Sequence, residues 1–284
     1  MYRLPAPARG AISAPRGGGP ALIAVAHGSR DPRSAATMAA VVAEVATARP
    51  DIPVRLAFLD LSTPSVDEVV DDLAIAGHTD VIVVPLLLGN AFHARVDLPA
   101  LLVEAGRRHP RLRLTQAAVL GPDPLLIAAV ADRVARSCRI PLLADRATPV
   151  VPASLGTPTA APGPLRDAPV GIAVAAVGSR DAAANRRTAV VARRLAAVTG
   201  CPAEMCFATV EPSIGQAVDQ LRGRGAERIV VAPWFLAPGL LTDRLVAAAP
   251  EVVHADVIGA HSALVDVIWA RYDTCVATEL VLSA

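Results

Sequence analysis

Lysine is missing from this chain. All 27 of its basic residues other than histidine are arginine, set against 26 Asp and Glu, for a formal net charge of +1. A near-neutral balance excludes a general nucleic-acid binder, which needs a basic surface. Aromatic residues make up only 3%. No apolar run is long enough to cross a bilayer. The stretch from Ile229 to Leu241 falls short of the roughly 18 residues required, and Pro233, Pro238 and Gly239 interrupt it. Near the start, Ala24-Val25-Ala26 mimics a secretory cleavage site, but the apolar stretch before it is too short for the hydrophobic region of a signal peptide. The expectation is a cytoplasmic protein with no membrane partner. Cys138, Cys201, Cys206 and Cys275 form no CxxC pair, which excludes zinc ribbons and thioredoxin chemistry and leaves free thiols. Neither GxGxxG nor GxxxxGK[ST] occurs, so no nucleotide is expected.

What the chain does have is apolar bulk, 53% of 284 residues, enough for one large or two small domains. Residues 1–20, rich in Pro, Gly, Ala and Arg, read as a disordered tail. Short apolar runs at 21–26, 54–59, 80–88 and 113–119 alternate with helical spacing near 33–48, 65–76, 96–108 and 123–137. Strands alternating with helices predict a parallel sheet covered on both faces, an α/β fold. Residues 141–168 carry no apolar face and read as a Pro/Ala-rich linker.

Beyond the linker the pattern repeats. VGIAVAAVGSRD (170–181) echoes ALIAVAHGSRD (21–31), and Pro64, Gly77 and Pro85 find matches in Pro212, Gly225 and Pro233 at one constant offset. Two tandem copies of one α/β domain follow, at 21–140 and 169–284, related by internal duplication. The expected assembly is a monomer with pseudo-two-fold internal symmetry and ligand space between its halves.

Differences between the copies point to chemistry. His27 ends the first strand, Asp60 the second, and His93 follows the third. The match of HGSR to VGSR sets His27 against Val177, and the offset shared by the three matched residues sets Asp60 and His93 against Ala208 and Leu241, all apolar. Ligands of open parallel sheets bind outside the carboxyl ends of the strands, so the three first-copy residues can converge there. Two imidazoles and a carboxylate suit Fe²⁺, Co²⁺, Ni²⁺ or Zn²⁺ with coordination positions left open, and the histidines equally suit proton transfer near neutral pH. His78 and His109 fall after helices, on the far side of the sheet, where solvation is expected. His254 lacks a placement like that of His27, and His261 reads as a helix cap or surface residue. In GSRD, present in both copies, Gly permits a tight turn and Ser or Asp can cap the next helix. In the first copy Ser29 and Arg30 adjoin His27, and Arg95 adjoins His93.

A first strand ending in HGSR, the stretch FLDLSTPS, and VIVVPLLL followed by GNAFHARVDLP resemble the sirohydrochlorin chelatases, the class II chelatases. The likeness covers about 21–140, with 169–275 as the degenerate second half of the long members. The resemblance implies insertion of Fe²⁺ or Co²⁺, as substrate, into the tetrapyrrole sirohydrochlorin without ATP, for sirohaem or cobalamin synthesis. It places the metal ligands at His27 and His93 and an acidic residue at Asp60, and implies one active site. Ser29, Arg30 and Arg95 would hold the carboxylates of the ring, and Phe92 its flat face, with Trp234 to Leu241 as an apolar wall. The other class of function compatible with these residues is a metal or tetrapyrrole carrier without turnover.

Overall fold

The computed structural model describes residues 19–89, 96–144 and 169–282. The first half runs β1 (Ala21–Ala26), α1 (Pro32–Ala48), β2 (Val54–Phe58), α2 (Val66–Ile75), β3 (Asp80–Pro85), α3 (Leu98–Arg108), β4 (Arg113–Gln116) and α4 (Pro124–Ala144). The second runs β5 (Val170–Ala176), α5 (Ala182–Thr188), α6 (Val190–Thr199), β6 (Ala203–Phe207), α7 (Ile214–Gly223), β7 (Arg228–Pro233), α8 (Leu240–Ala248), β8 (Val253–His254) and α9 (Ser262–Leu282). Each half forms one four-stranded sheet, ordered β2-β1-β3-β4 and β6-β5-β7-β8, with every pairing parallel. The tandem α/β architecture expected from the repeat is the one found. The strand read as 80–88 ends at Pro85, and α4 runs four residues into the stretch read as linker.

Every residue of β1 is buried, as an all-apolar strand between two helical layers should be. Its side chains alternate between two cores. Leu22, Ala24 and Ala26 face α1 and α4, while Ala21, Ile23 and Val25 face α2 and α3. Local chemistry sets the helix starts. Ser65 and Glu68 form a reciprocal capping box at α2, and Ser213 and Gln216 do the same at α7. The second half departs from the first at Ala189, where a turn divides the counterpart of α1 into α5 and α6.

The layer of α1 and α4 does not end in solvent. Its apolar residues join those of α6 and α9 in one core that spans both halves, including Val41, Leu126, Ile268 and Trp269. The contacts come in mates. α1 packs on α9 and α6 on α4, α4 meets β7 and α9 meets β3, and α4 packs on α9. That reciprocity is the signature of a pseudo-two-fold axis between the halves.

Polar anchors surround the shared core. Arg49 holds Asp273 through two 2.6 Å bonds and lies 4.4 Å above the Trp269 ring, whose Nε1 donates to the Val45 carbonyl. Arg271 donates to the carbonyls of Val119 and Leu120 and to the Asp123 carboxylate, at 3.0, 3.1 and 3.0 Å. Arg133, its mate on α4, donates to the Ile258 carbonyl at 2.7 Å. Leu120 and Ile258 are themselves mates, accepted by Leu87 and Phe235 in matching bonds. No described helix is long and apolar enough to cross a membrane.

Two histidines depart from expectation. His109 is only part-exposed and bonds Asp71 at 2.7 Å. The imidazole lowers the pKa of that carboxyl, aided by Arg108. His78 is buried at 7% exposure with no partner for its Nε2. The turn after α2 folds it against the sheet because its backbone N–H closes the helix onto Leu73. Burial, and secondarily the charge of Arg55, push the His78 pKa down.

Arg271→Ala removes three inter-half bonds and strands two carbonyls and a half-buried carboxylate. It should cost about 2–3 kcal/mol, read as a lower urea midpoint at unchanged slope. For His78 the folded pKa lies below the unfolded value of about 6.5. The unfolded chain therefore takes up more protons below that pH, and stability falls as pH drops. His78→Leu should flatten that acid limb and raise stability by about 1 kcal/mol at pH 5.5, measured as melting temperature at pH 7.5 and 5.5.

Candidate active site

In a sheet ordered β2-β1-β3-β4, the chain leaves β1 in one direction and later crosses to its other side. The crevice between the carboxyl ends of β1 and β3 is the topological switch point, where such sheets hold ligands. His27 follows the last residue of β1 and is exposed there. Leu86 continues β3 alongside it, donating to the Val25 carbonyl. His93 lies four residues beyond Gly89, and His93, Phe92 and Arg95 all fall outside the described residues.

The turn after β1 is fastened to the end of β2. Asp60 N–H donates to the His27 carbonyl at 3.0 Å. At Gly28, φ is +94° and an added Cβ would sit 1.7 Å from the Asp60 carbonyl oxygen, so only glycine allows the approach. His27 and Asp60 are thereby neighbours through their backbones. The Asp60 carboxylate turns onto its own loop, where Oδ1 accepts from Leu61 N–H at 2.7 Å. Leu61 itself has φ of 60°, an unfavourable region for a branched side chain, and is half exposed. Among the described residues no three His, Cys, Asp or Glu side chains gather as a metal group.

Ser62 was not among the sequence candidates, yet it holds the HGSR turn. Its hydroxyl accepts from Ser29 N–H and donates to the Ser29 carbonyl, both at 3.1 Å. Ser29 Oγ in turn accepts from Asp31 N–H. In the second half the identical GSRD is held differently. Asn185 bonds the N–H and carbonyl of Ser179, each at 2.8 Å. Equal motifs thus have unequal supports, and only a comparison of the loops after β2 and β6 could have hinted at Ser62. Arg30 is exposed with no ion pair among the described residues.

Asp31 caps α1 by accepting from Arg33 N–H, and its carboxylate also takes the Arg33 guanidinium. These bonds hold the Asp31 pKa below the usual carboxylate range. The other edge of Arg33 reaches Asp243 on α8, at 2.5 and 3.2 Å. The first-half turn and the start of α8 therefore stand side by side, on the carboxyl-end side of both sheets. Trp234 does not wall this space. It is 4% exposed, inside the shared core, with its ring 3.0 Å from where a Cβ on Gly121 would lie.

Hydrogen bonds also correct the pairing of the two copies. Asp60 donates to the His27 carbonyl as Thr209 does to that of Val177, so Thr209, not Ala208, stands opposite Asp60. The loop after β6 is one residue shorter, which shifts the offset. After β3 the difference is larger. Leu87 and Phe235 are mates, and so are Ala105 and Leu245, whose carbonyls accept from the residues closing α3 and α8. Leu87 and Ala105 are eighteen residues apart, Phe235 and Leu245 ten. Leu241 is therefore not the counterpart of His93: the eight-residue surplus that carries His93 has none.

A family model described as CbiX matches residues 21–137 and again 171–275. The chain belongs to the CbiX family. The sirohydrochlorin ferrochelatase of Bacillus subtilis is 34% identical over 115 residues, 40% of this chain and 44% of the relative. The matched segment thus spans less than half of that relative's length. The sirohydrochlorin cobaltochelatase of Methanococcoides burtonii is 31% identical over 81 residues, 28% of this chain and 62% of the relative. Among solved structures, SirB from Bacillus subtilis with Fe³⁺ superposes with a TM-score of 0.66 at 22% identity, over 89% of this chain and 94% of that one. The structure titled as CbiX, the terminal enzyme for biosynthesis of siroheme in denitrifying bacteria, gives 0.58 at 22%, over 88% and 98%. These two likenesses establish a two-half CbiX fold.

The different supports of the two GSRD turns can be told apart in solution. Ser62→Ala should speed amide hydrogen exchange at Ser29 to Asp31 and cost about 1–2 kcal/mol, leaving Ser179 to Asp181 unchanged. Asn185→Ala should do the converse.

Proposed function

We propose that this CbiX-family protein inserts a divalent metal, Fe²⁺ or Co²⁺, into sirohydrochlorin without ATP, for sirohaem or cobalamin synthesis. The observation that carries this reading is the asymmetry at the switch points. One half has a histidine at the end of β1 and an extra eight-residue segment with a second histidine after β3. The other half has valine and no segment. In this reading His27 and His93 hold the metal and accept the two pyrrole protons, the work of a weak, exchangeable two-imidazole site. The catalytic unit is 21–140, and 169–284 is its degenerate partner after a tail and linker.

Asp60 fixes the His27 turn through its backbone and offers an exposed carboxylate as a further proton acceptor. Ser29, locked by Ser62, and the exposed Arg30 bind carboxylates of the ring, with Phe92 and Arg95 completing the substrate contacts. Guanidinium groups suit that task because they meet carboxylates in a planar fork. The names carried by the ferrochelatase and cobaltochelatase relatives support this substrate. Imidazole ligands do not separate Fe²⁺ from Co²⁺. We take the working unit to be a cytoplasmic monomer, its second half standing where a dimer partner would.

The test is a visible-absorbance time course of sirohydrochlorin with Co²⁺ or anaerobic Fe²⁺. Wild type should exceed the spontaneous rate, and His27→Ala and His93→Ala should each lose about 100-fold or more. Asp60→Asn should lose about tenfold, as expected of a group whose backbone role survives. A wild-type rate equal to the enzyme-free control, with metal or ring still bound, would make the protein a carrier.

A further inference from the structure

A cavity of about 440 Å³ opens at the carboxyl ends of β7 and β8, between α8 and the first half. Thr37 of α1 and Arg133 of α4 line it from the first half, and Val231, Thr242, Val246 and His254 from the second. His254 ends β8 here. Its Nε2 is engaged with the Ala249 carbonyl at 2.9 Å. Asp256 also lines the cavity but is exposed, where water screens its charge.

Pseudosymmetry shows what is unusual about this place. Arg271 and Arg133 are mates, and each donates to a mated carbonyl, Leu120 or Ile258. Arg271 is also neutralised by Asp123, the residue that caps α4 by accepting from Leu125 N–H. The residue in the matching cap of α9 is His261, whose Nδ1 accepts from Ala263 N–H and whose ring faces Asp132 at 3.4 Å. Arg133 therefore lacks the acid its mate has. Among the described residues it makes no ion pair, and its Nε is buried with no hydrogen-bond partner. The sealed Nε is a cost the fold bears, and the guanidinium that lines the cavity without a neutralising acid is where an anion is held strongly. Space was opened as well. Leu98 and Leu102 of α3, both buried, stand where the second half has Pro238, just before α8, and Thr242 on α8.

We propose that this cavity is a binding site for a carboxylate carried on an apolar body. Arg133 takes the carboxylate, with the hydroxyls of Thr37 and Thr242 at hand, and Val231 and Val246 receive the apolar part. The carboxylate can come from a small free acid or from the rim of a polycarboxylate ring. The site does not depend on the metal-insertion reading.

Calorimetric titration of the full chain with octanoate tests it. Wild type should bind octanoate, and octanol much more weakly. Arg133→Gln should weaken octanoate at least about tenfold. Because that change also removes the bond to Ile258, two further variants keep the result interpretable. His261→Asp supplies the acid that Asp123 gives to Arg271, and Val246→Trp fills the half-exposed rim. Both should weaken octanoate about tenfold at an unchanged melting temperature. Displacement of octanoate by metal-free uroporphyrin identifies a ring carboxylate as the source, and simultaneous binding identifies a free acid. No octanoate binding to wild type, or equal binding by Arg133→Gln and Val246→Trp, overturns the proposal.

Discussion

The face that α1 and α4 share with α6 and α9 is the constraint from which the rest follows. Each half, taken alone, would expose that face to water. Burying a Leu, Ile or Val is worth about 1.5–3 kcal/mol relative to leaving it exposed, so a set containing Val41, Leu126, Leu195, Ile268 and Trp269 cannot stay uncovered. Duplication supplies a cover of nearly the right shape, because the partner face is a copy of the same pattern. The pseudo-two-fold follows from this, since two like faces meet most evenly when each contact has a mate. Arg271, Arg133 and the Arg49–Asp273 pair then fix the register around a core that apolar packing alone leaves free to slide.

That packing sets the carboxyl ends of both sheets on one side, where Arg33 joins the first-half turn to α8. The chemistry there is local in origin. One glycine without space for a Cβ brings the β1 turn against β2, and one serine clamps it. The second half keeps the glycine and the GSRD letters but changes the clamp to Asn185. A motif shared by both copies is thus first a fold device, and the copies differ in how the turn is clamped and in which residues flank it.

Much of this was legible from the residues. Apolar runs as continuous as ALIAVA can only be strands buried on both faces, and alternation with helical periods leaves a parallel sheet as the economical answer. The repeat and the position of His27 came from the same reading. The pairing of the copies failed where it relied on one constant offset. A residue lost after β6 moves Asp60 onto Thr209, and eight residues lost after β7 remove any counterpart of His93. Offsets are a property of the chain, whereas equivalence is a property of hydrogen bonds across strands, and only the latter survives deletions. His78 departs from the sequence expectation for a related reason. A polar residue in a post-helical turn is usually solvated, but here the C-terminal bond to Leu73 carries it under the sheet. Ser62 was invisible because nothing local marks a serine whose partner is 33 residues away.

The two halves have diverged in opposite senses. The first has eight more residues after β3, His93 among them, and an acid that neutralises Arg271. The second has a shorter α8 and His261 in place of that acid. A loss of function alone would leave a half free to fill its vacated space with leucine, as α3 does with Leu98 and Leu102. Instead Pro238, just before α8, and Thr242 on it stand there, beside an arginine whose Nε has no partner. Leaving both a cavity and a buried unpartnered donor costs stability twice. A cavity lined by a guanidinium without a neutralising acid holds an acid from solution most readily, which makes the second half a candidate binding module in its own right.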